Sequence, residues 1–229
     1  MLTLILAESS LETISPKNER YGLNKPLGKK ERKKDGTILD VSLHRRILQK
    51  LPNPEKRGRP DIVHLSLLAA LGTPLNKRGF LQIFVHTVQD LVIRIDPQTR
   101  LPKNYNRFIG LMEQLYNLGK VPPEGPPLLT LEKMTLETLI KNLKPSETIM
   151  FTEKGTFSKL KPIMNECSKQ ENPVIIIGGF PHGDFSQKTL NLSDKKISIS
   201  HETLDTWIVV SRTLYCYEEI VLNKNSNKK

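Results

Sequence analysis

The sequence predicts an α/β fold with a mostly parallel sheet and helices on both faces. Three observations carry it. Six short runs are rich in Val and Ile and nearly continuous in apolar character, which suits strands buried on both faces. Helical patterns fall between them, and such alternation favours layers of helix packed on a sheet. Hydrophobic residues make up 37% of 229, enough for one good core.

Taken in order, "LTLILA" (2–7) reads as a buried first strand; it lacks the basic leader and cleavage site of a signal peptide. Residues 16–36 are polar, basic and rich in turn formers, an excursion from the core. A helix follows at 42–51, where Leu43, Ile47, Leu48 and Leu51 share a face. The next helix, 61–71, has Pro60 in its first turn and Asp61 at its positive end. Strands are expected at 81–88 and 91–96, then a helix at 105–118. "GKVPPEGPP" (119–127) is too proline-rich for helix or central strand and reads as a linker between two halves of the sheet. A helix at 135–143, a strand at 148–153, a helix at 157–169, strands at 173–179 and 196–200 and a last helix at 203–222 complete the chain, with a frayed tail. No internal repeat is visible.

Lys plus Arg exceed Asp plus Glu by 35 − 24 = +11, an excess that attracts polyanions such as nucleic acid. Two distant cysteines, Cys167 and Cys216, and five histidines without ligand spacing argue against a disulfide framework and a metal site. No apolar run approaches the roughly 20 residues of a membrane span. These features point to an intracellular, cytoplasmic protein.

"PVIIIGGFPHGDF" (173–185) is a strand that ends in a glycine-rich loop, where open α/β sheets bind ligands. Gly178, Gly179 and Gly183 do not fit the dinucleotide spacing, and Asp184 stands where a phosphate loop needs a cation. A carboxylate suits a ligand with hydroxyls, an amine or a sulfonium, and S-adenosylmethionine has all three. A tight turn without a ligand explains the same glycines equally well. A second loop, "KISISHETLDTW" (196–207), runs from a strand into the last helix, with Ser200 in the region that would cap it.

"DPQTRLPKNYNRFIGLMEQLY" (96–116) places Arg100, Lys103 and Arg107 on a prolyl turn and a helix start, interleaved with Tyr105 and Phe108. Arginine forks read phosphates and exposed aromatics stack on unpaired bases; Phe108 reads as core. Arg59 belongs with this group, held across Pro60 by Asp61 as organiser. Asn76 and Lys77 mark a further polar turn towards the same ligand.

With these segments in order, "RPDIVHLSLLAALGTPLNKRG", "FVHT", "IDPQTRLPKNYNRFIGLMEQL", "GGFPHGDF" and "SISHETL" resemble the successive motifs of the nucleolar essential protein family. These are small-subunit ribosomal RNA methyltransferases acting on nitrogen 1 of pseudouridine. The resemblance spans roughly residues 38–210, and the modest length points to an archaeal-type member. It implies a single SPOUT-class α/β domain with a deep trefoil knot in a cofactor-binding part at about 148–222. It also implies a homodimer, S-adenosylmethionine in the knot loops, an RNA-loop substrate, and neither membrane nor metal. By position, Thr152, Gly178, Gly183, Asp184, Phe185, Ile199, Ser200, His201, Glu202, Thr203 and Leu204 match the cofactor segments. Arg59, Arg100 and Arg107 match the RNA-contacting arginines, with Asp61 bracing Arg59. Lys103 departs from the arginine common at its place; it keeps the charge but loses the fork. Two rival functions fit the same residues: an RNA-binding ribosome-assembly factor with methylation secondary, and a methyltransferase for another RNA.

Overall fold

The computed structural model describes residues 1–14 and 36–226; the basic excursion expected at 16–36 lies, apart from Gly36, outside the described residues. The strands are β1 (Leu2–Ser9), β2 (Leu81–Thr87), β3 (Leu91–Ile95), β4 (Lys120–Val121), β5 (Leu129–Lys133), β6 (Glu147–Phe157), β7 (Pro173–Gly178) and β8 (Lys195–Ser198). The helices are α1 (Val41–Leu48), α2 (Pro60–Leu71), α3 (Pro74–Lys77), α4 (Tyr105–Leu118), α5 (Leu136–Leu143), α6 (Leu160–Cys167), α7 (Gln187–Leu190) and α8 (Thr206–Ser226).

The strands form one sheet in the order β4-β5-β3-β2-β1-β7-β6-β8. β1 lies parallel to β2 and β7, and β6 parallel to β7 and β8; the β3, β4 and β5 pairings are antiparallel. The most apolar runs take the centre. Nearly every side chain of β1 and β7 is buried, as strands covered on both faces require. One face packs Leu4, Leu6, Val85 and Ile175 against α2, α4, α6 and α8 through Val63, Phe108, Met164 and Leu214. The other packs Ile5, Phe84 and Ile176 against Leu136 and Leu139 of α5 and against Phe185.

Three expectations change. Residues 119–127 do not link two halves of the sheet. Lys120 and Val121 pair with β5 at its outer edge, and the prolines sit in the hairpin turn. The helix expected from residue 157 starts at Leu160, because β6 runs on to Phe157. Leu43 is 77% exposed and does not share the apolar face of Ile47 and Leu48. His44 has non-helical angles (φ −120°, ψ 28°), so α1 kinks and the regular 3.6-residue spacing fails.

The segment before α2 is stitched to the carboxyl end of β1. The Val41 amide donates to the Gly58 carbonyl at 2.9 Å, and the Arg59 amide donates to Ser10 Oγ at 2.8 Å. Arg57 Nε lies 3.0 Å from Glu12 Oε1, although without the alignment of a full hydrogen bond. Glu12 is only 2% exposed, and burial raises its carboxyl despite the Arg57 charge. A group with a raised folded pKa contributes stability below its unfolded value and loses it as pH rises through the folded one. Arg57→Met leaves that carboxylate alone and should cost about 3 kcal/mol at neutral pH. Urea unfolding should show a smaller cost near pH 4.5, where the folded state keeps the proton; equal costs at both pH values would contradict the pairing.

Candidate functional site

A cleft of about 410 Å³ opens at the carboxyl ends of β7 and β8, against the middle of β6, within the roughly 300–1,000 Å³ typical of small-molecule sites. Three loops build it. The first is a bulge inside β6: the register against β8 shifts between Phe151 and Thr156, which turns residues 152–154 into the cleft. Thr152 therefore sits on a bulge within the strand and not at its end. The second is the glycine-rich loop after β7, and the third is the stretch from Ser198 into α8.

Of the residues matched to cofactor segments, Thr152, Gly178, Gly183, Asp184, Phe185, Ile199, Ser200, Glu202, Thr203 and Leu204 all line this cleft. His201 does not; its ring turns away and stacks on Phe157 at 4.0 Å. Ser200 does not cap the last helix, which starts six residues later at Thr206. Its hydroxyl accepts from the Glu202 amide at 3.1 Å and shapes the loop instead. Sequence reasoning missed Thr206, whose Oγ1 donates to the Gly178 carbonyl at 2.8 Å and ties α8 to the end of β7.

Asp184 is the polar centre. Its Oδ1 accepts from Thr152 Oγ1 at 2.9 Å and from the Phe185 amide at 2.8 Å, while Oδ2 lies 3.6 Å from the exposed Lys154 ammonium. One oxygen is thus fixed, and the other remains available to a hydroxyl or amine. Phe151, Ile177, Leu204 and Val209 supply an apolar wall for a flat ring. Gly179 serves packing: the Ser10 amide donates to its carbonyl at 2.8 Å, and a Cβ there would run into the side chain of Ser9. Carboxylate, hydroxyls, free backbone groups and an apolar wall fit a nucleoside-bearing amino acid such as S-adenosylmethionine.

Arg59 and Asp61 form a second polar cluster at the start of α2. Arg59 Nε and Nη2 donate to Asp61 Oδ1 and Oδ2 at 2.8 and 2.7 Å, the two-pronged pairing expected across Pro60. Those bonds raise the guanidinium above its ordinary value against a smaller desolvation effect, and the charges of Asp205 and Tyr105 add to the rise. Asp205 precedes α8, so Arg59 lies within electrostatic reach of the rim of the third loop. The Tyr105 hydroxyl donates to the Asp40 carboxylate, which also caps α1 through the Ser42 amide at 2.8 Å. Burial, and then that bond, push the phenol upwards.

Arg100 and Lys103 are exposed on a braced turn and Arg107 on the first turn of α4, with no ion pair to any described residue. His64 Nε2 bonds the Pro102 carbonyl at 2.7 Å and its ring stacks on Phe108 at 4.3 Å. Asn76 Nδ2 donates to the Pro97 carbonyl at 2.9 Å and to that of Leu71 at 3.2 Å. Asn76 is therefore a buried strap and not the ligand-facing turn expected of it. Phe108 is core, as its spacing predicts.

Fold and cleft together define an α/β protein with a small-molecule site at its strand ends. Residues 4–218 match the family model described as EMG1/NEP1 methyltransferase. The chain is 43% identical over 221 residues to the ribosomal RNA small subunit methyltransferase Nep1 of Staphylothermus marinus, covering 96% of each chain. It is 43% identical over 220 residues to the protein of that name from Thermococcus kodakarensis, covering 95% of this chain and 98% of that one. The crystal structure of Archaeoglobus fulgidus Nep1 bound to S-adenosylhomocysteine superposes with a TM-score of 0.81 at 31% identity, over 96% of this chain and 98% of that one. The chain belongs to the EMG1/NEP1 methyltransferase family.

Proposed function

We propose that this protein uses S-adenosylmethionine to methylate nitrogen 1 of a pseudouridine in small-subunit ribosomal RNA, as part of subunit assembly inside the cell. The observation that carries the reading is a cofactor-shaped cleft with the Arg59 guanidinium within electrostatic reach of its rim. The family and the names of its relatives support the reaction class; the base and the atom are our own inference.

Asp184, Thr152 and the glycine-rich backbone would hold the polar ends of S-adenosylmethionine, and the apolar wall its adenine. When bound, the group supplies an electrophilic methyl on a good, neutral leaving group. The work of the chain is then alignment: Arg59, Arg100, Lys103 and Arg107 grip phosphates so that a base splayed from its loop reaches the cleft. Nitrogen 1 must also lose its proton. Asp61 is poorly placed as the base, because both its oxygens accept hydrogen bonds from the Arg59 guanidinium. The nearby guanidinium instead eases the growth of negative charge on the ring. The same reading includes a homodimer and a threaded carboxyl-terminal knot. Phe157 (46% exposed) and Tyr215 (65% exposed) offer apolar surface for a second copy. Light scattering at micromolar concentration should give twice the chain mass; a monomer would remove the dimer from the reading.

A synthetic hairpin with pseudouridine in its loop should accept one methyl, and its uridine counterpart none, since nitrogen 1 of uridine already carries the glycosidic bond. Equal transfer to both would sink the specificity, and transfer to neither the reaction. Arg107→Ala should weaken binding of that hairpin about fivefold and reduce the salt slope by about one, leaving S-adenosylhomocysteine affinity alone. An unchanged slope would remove Arg107 from the RNA surface.

A further inference from the structure

Lys56 lies outside the cleft lining, yet it touches the glycine-rich loop that forms part of it. It ends the single 3₁₀ turn Pro54–Lys56, three residues before Arg59. Its ammonium lies 3.3 Å from Glu8 Oε2, donates to the backbone carbonyl of Asp184, and sits 4.6 Å from the centre of the Phe180 ring. The other oxygen of Glu8 accepts from the Ser186 amide at 2.9 Å. One ion pair therefore grips the glycine-rich loop at Phe180, at Asp184 and just beyond, at Ser186. Gly183 lies inside that grip with φ +85°, and a Cβ there would come within 3.2 Å of Lys56 Cε.

The pair is built for more than holding charge. Side chains of Lys56 and Glu8 are only 18% and 13% exposed, so each charge gives up hydration to be there. Burial alone would raise the Glu8 carboxyl, but hydrogen bonds from Ser186 and Thr189 and the Lys56 charge outweigh it and hold the carboxyl below its ordinary range. Glu8 itself sits at φ +49°, a conformation uncommon outside glycine. Its amide, turned by that conformation, faces Nδ1 of the buried His86 at 3.3 Å. An uncommon backbone and two desolvated charges converge on the loop that carries Asp184.

We propose that Lys56, held by Glu8, is a positioning residue for the methyl donor: it fixes residues 180–186 in the shape that presents Asp184 to the ligand. The proposal rests on reading this cleft as the S-adenosylmethionine site. The role is distinct from that of Arg59, which faces the RNA, although the two share one short segment.

The test uses the full chain, calorimetric titration with S-adenosylhomocysteine, and steady-state methylation of the pseudouridine hairpin. Lys56→Met should lower S-adenosylhomocysteine affinity and raise the KM for S-adenosylmethionine about tenfold, with kcat changed by less than about twofold. Lys56→Arg, which keeps the charge, should recover most of the affinity. Amide exchange should quicken at 180–186 and stay as in the wild type along α2. A folded Lys56→Met with wild-type affinity and KM overturns the proposal while leaving the cleft assignment intact. If the wild type itself does not bind S-adenosylhomocysteine, the cleft assignment falls and the proposal with it. Should Lys56→Met fail to fold, Glu8→Gln replaces it: the shape is kept and the charge removed. About a threefold loss of affinity is then expected, and no loss overturns the proposal.

Discussion

The carboxyl end of β1 is the constraint on which the rest of the site depends. Glu8, Ser9, Ser10 and Glu12 are polar, yet they are buried or half-buried at the end of the central strand. Each must therefore find a partner, since an unpaired buried polar group is costly. Those partners are the functional segments. Ser10 takes the Arg59 amide, Glu12 takes Arg57, and Glu8 takes Lys56 and the Ser186 amide. The Ser10 amide and the Ala7 carbonyl bracket Gly179 at 2.8 and 2.9 Å. The need to satisfy one strand end thus places the Arg59 segment and the glycine-rich loop on the same anchor.

That arrangement explains how two sites far apart in sequence share one geometry. Arg59 and Asp184 are separated by 125 positions (184 − 59), yet both segments hang from one strand in the middle of the sheet. β1 and β7 are parallel neighbours, so their carboxyl ends lie side by side, and loops that follow them meet. The last helix closes the arrangement. Thr206 binds the end of β7, and Asp205, just before it, acts on the Arg59 charge. Asp61 acts as a brace: its two oxygens are committed to one guanidinium, which fixes the direction in which that planar group faces.

Much of this was legible in the residues. The central strands announce themselves because apolar runs have no other home. The Arg59–Asp61 pairing was readable because its partners are separated by one proline. The errors have physical causes too. β5 ("LTLEK") is half exposed, so its pattern is too weak to stand out beside the prolines before it. β6 runs past its apolar part through Glu153 and Lys154, which look like a strand ending. The α1 face failed at a kink that no periodicity records, and Asn76 looked like a ligand because a buried amide and an exposed one read alike. The Lys56–Glu8 pair was invisible for a different reason: it joins residues 48 positions apart (56 − 8), and only the sheet topology brings them together.

The central claim is that one bipartite site, a donor cleft and an arginine platform, modifies a single base in the small ribosomal subunit. Mass spectrometry of small-subunit RNA from cells with and without the protein tests it most directly. The account predicts loss of one methyl group, on one pseudouridine in a hairpin loop, and its return when the intact gene is restored. An unchanged methylation pattern, or a lost methyl on a base other than pseudouridine, would contradict it.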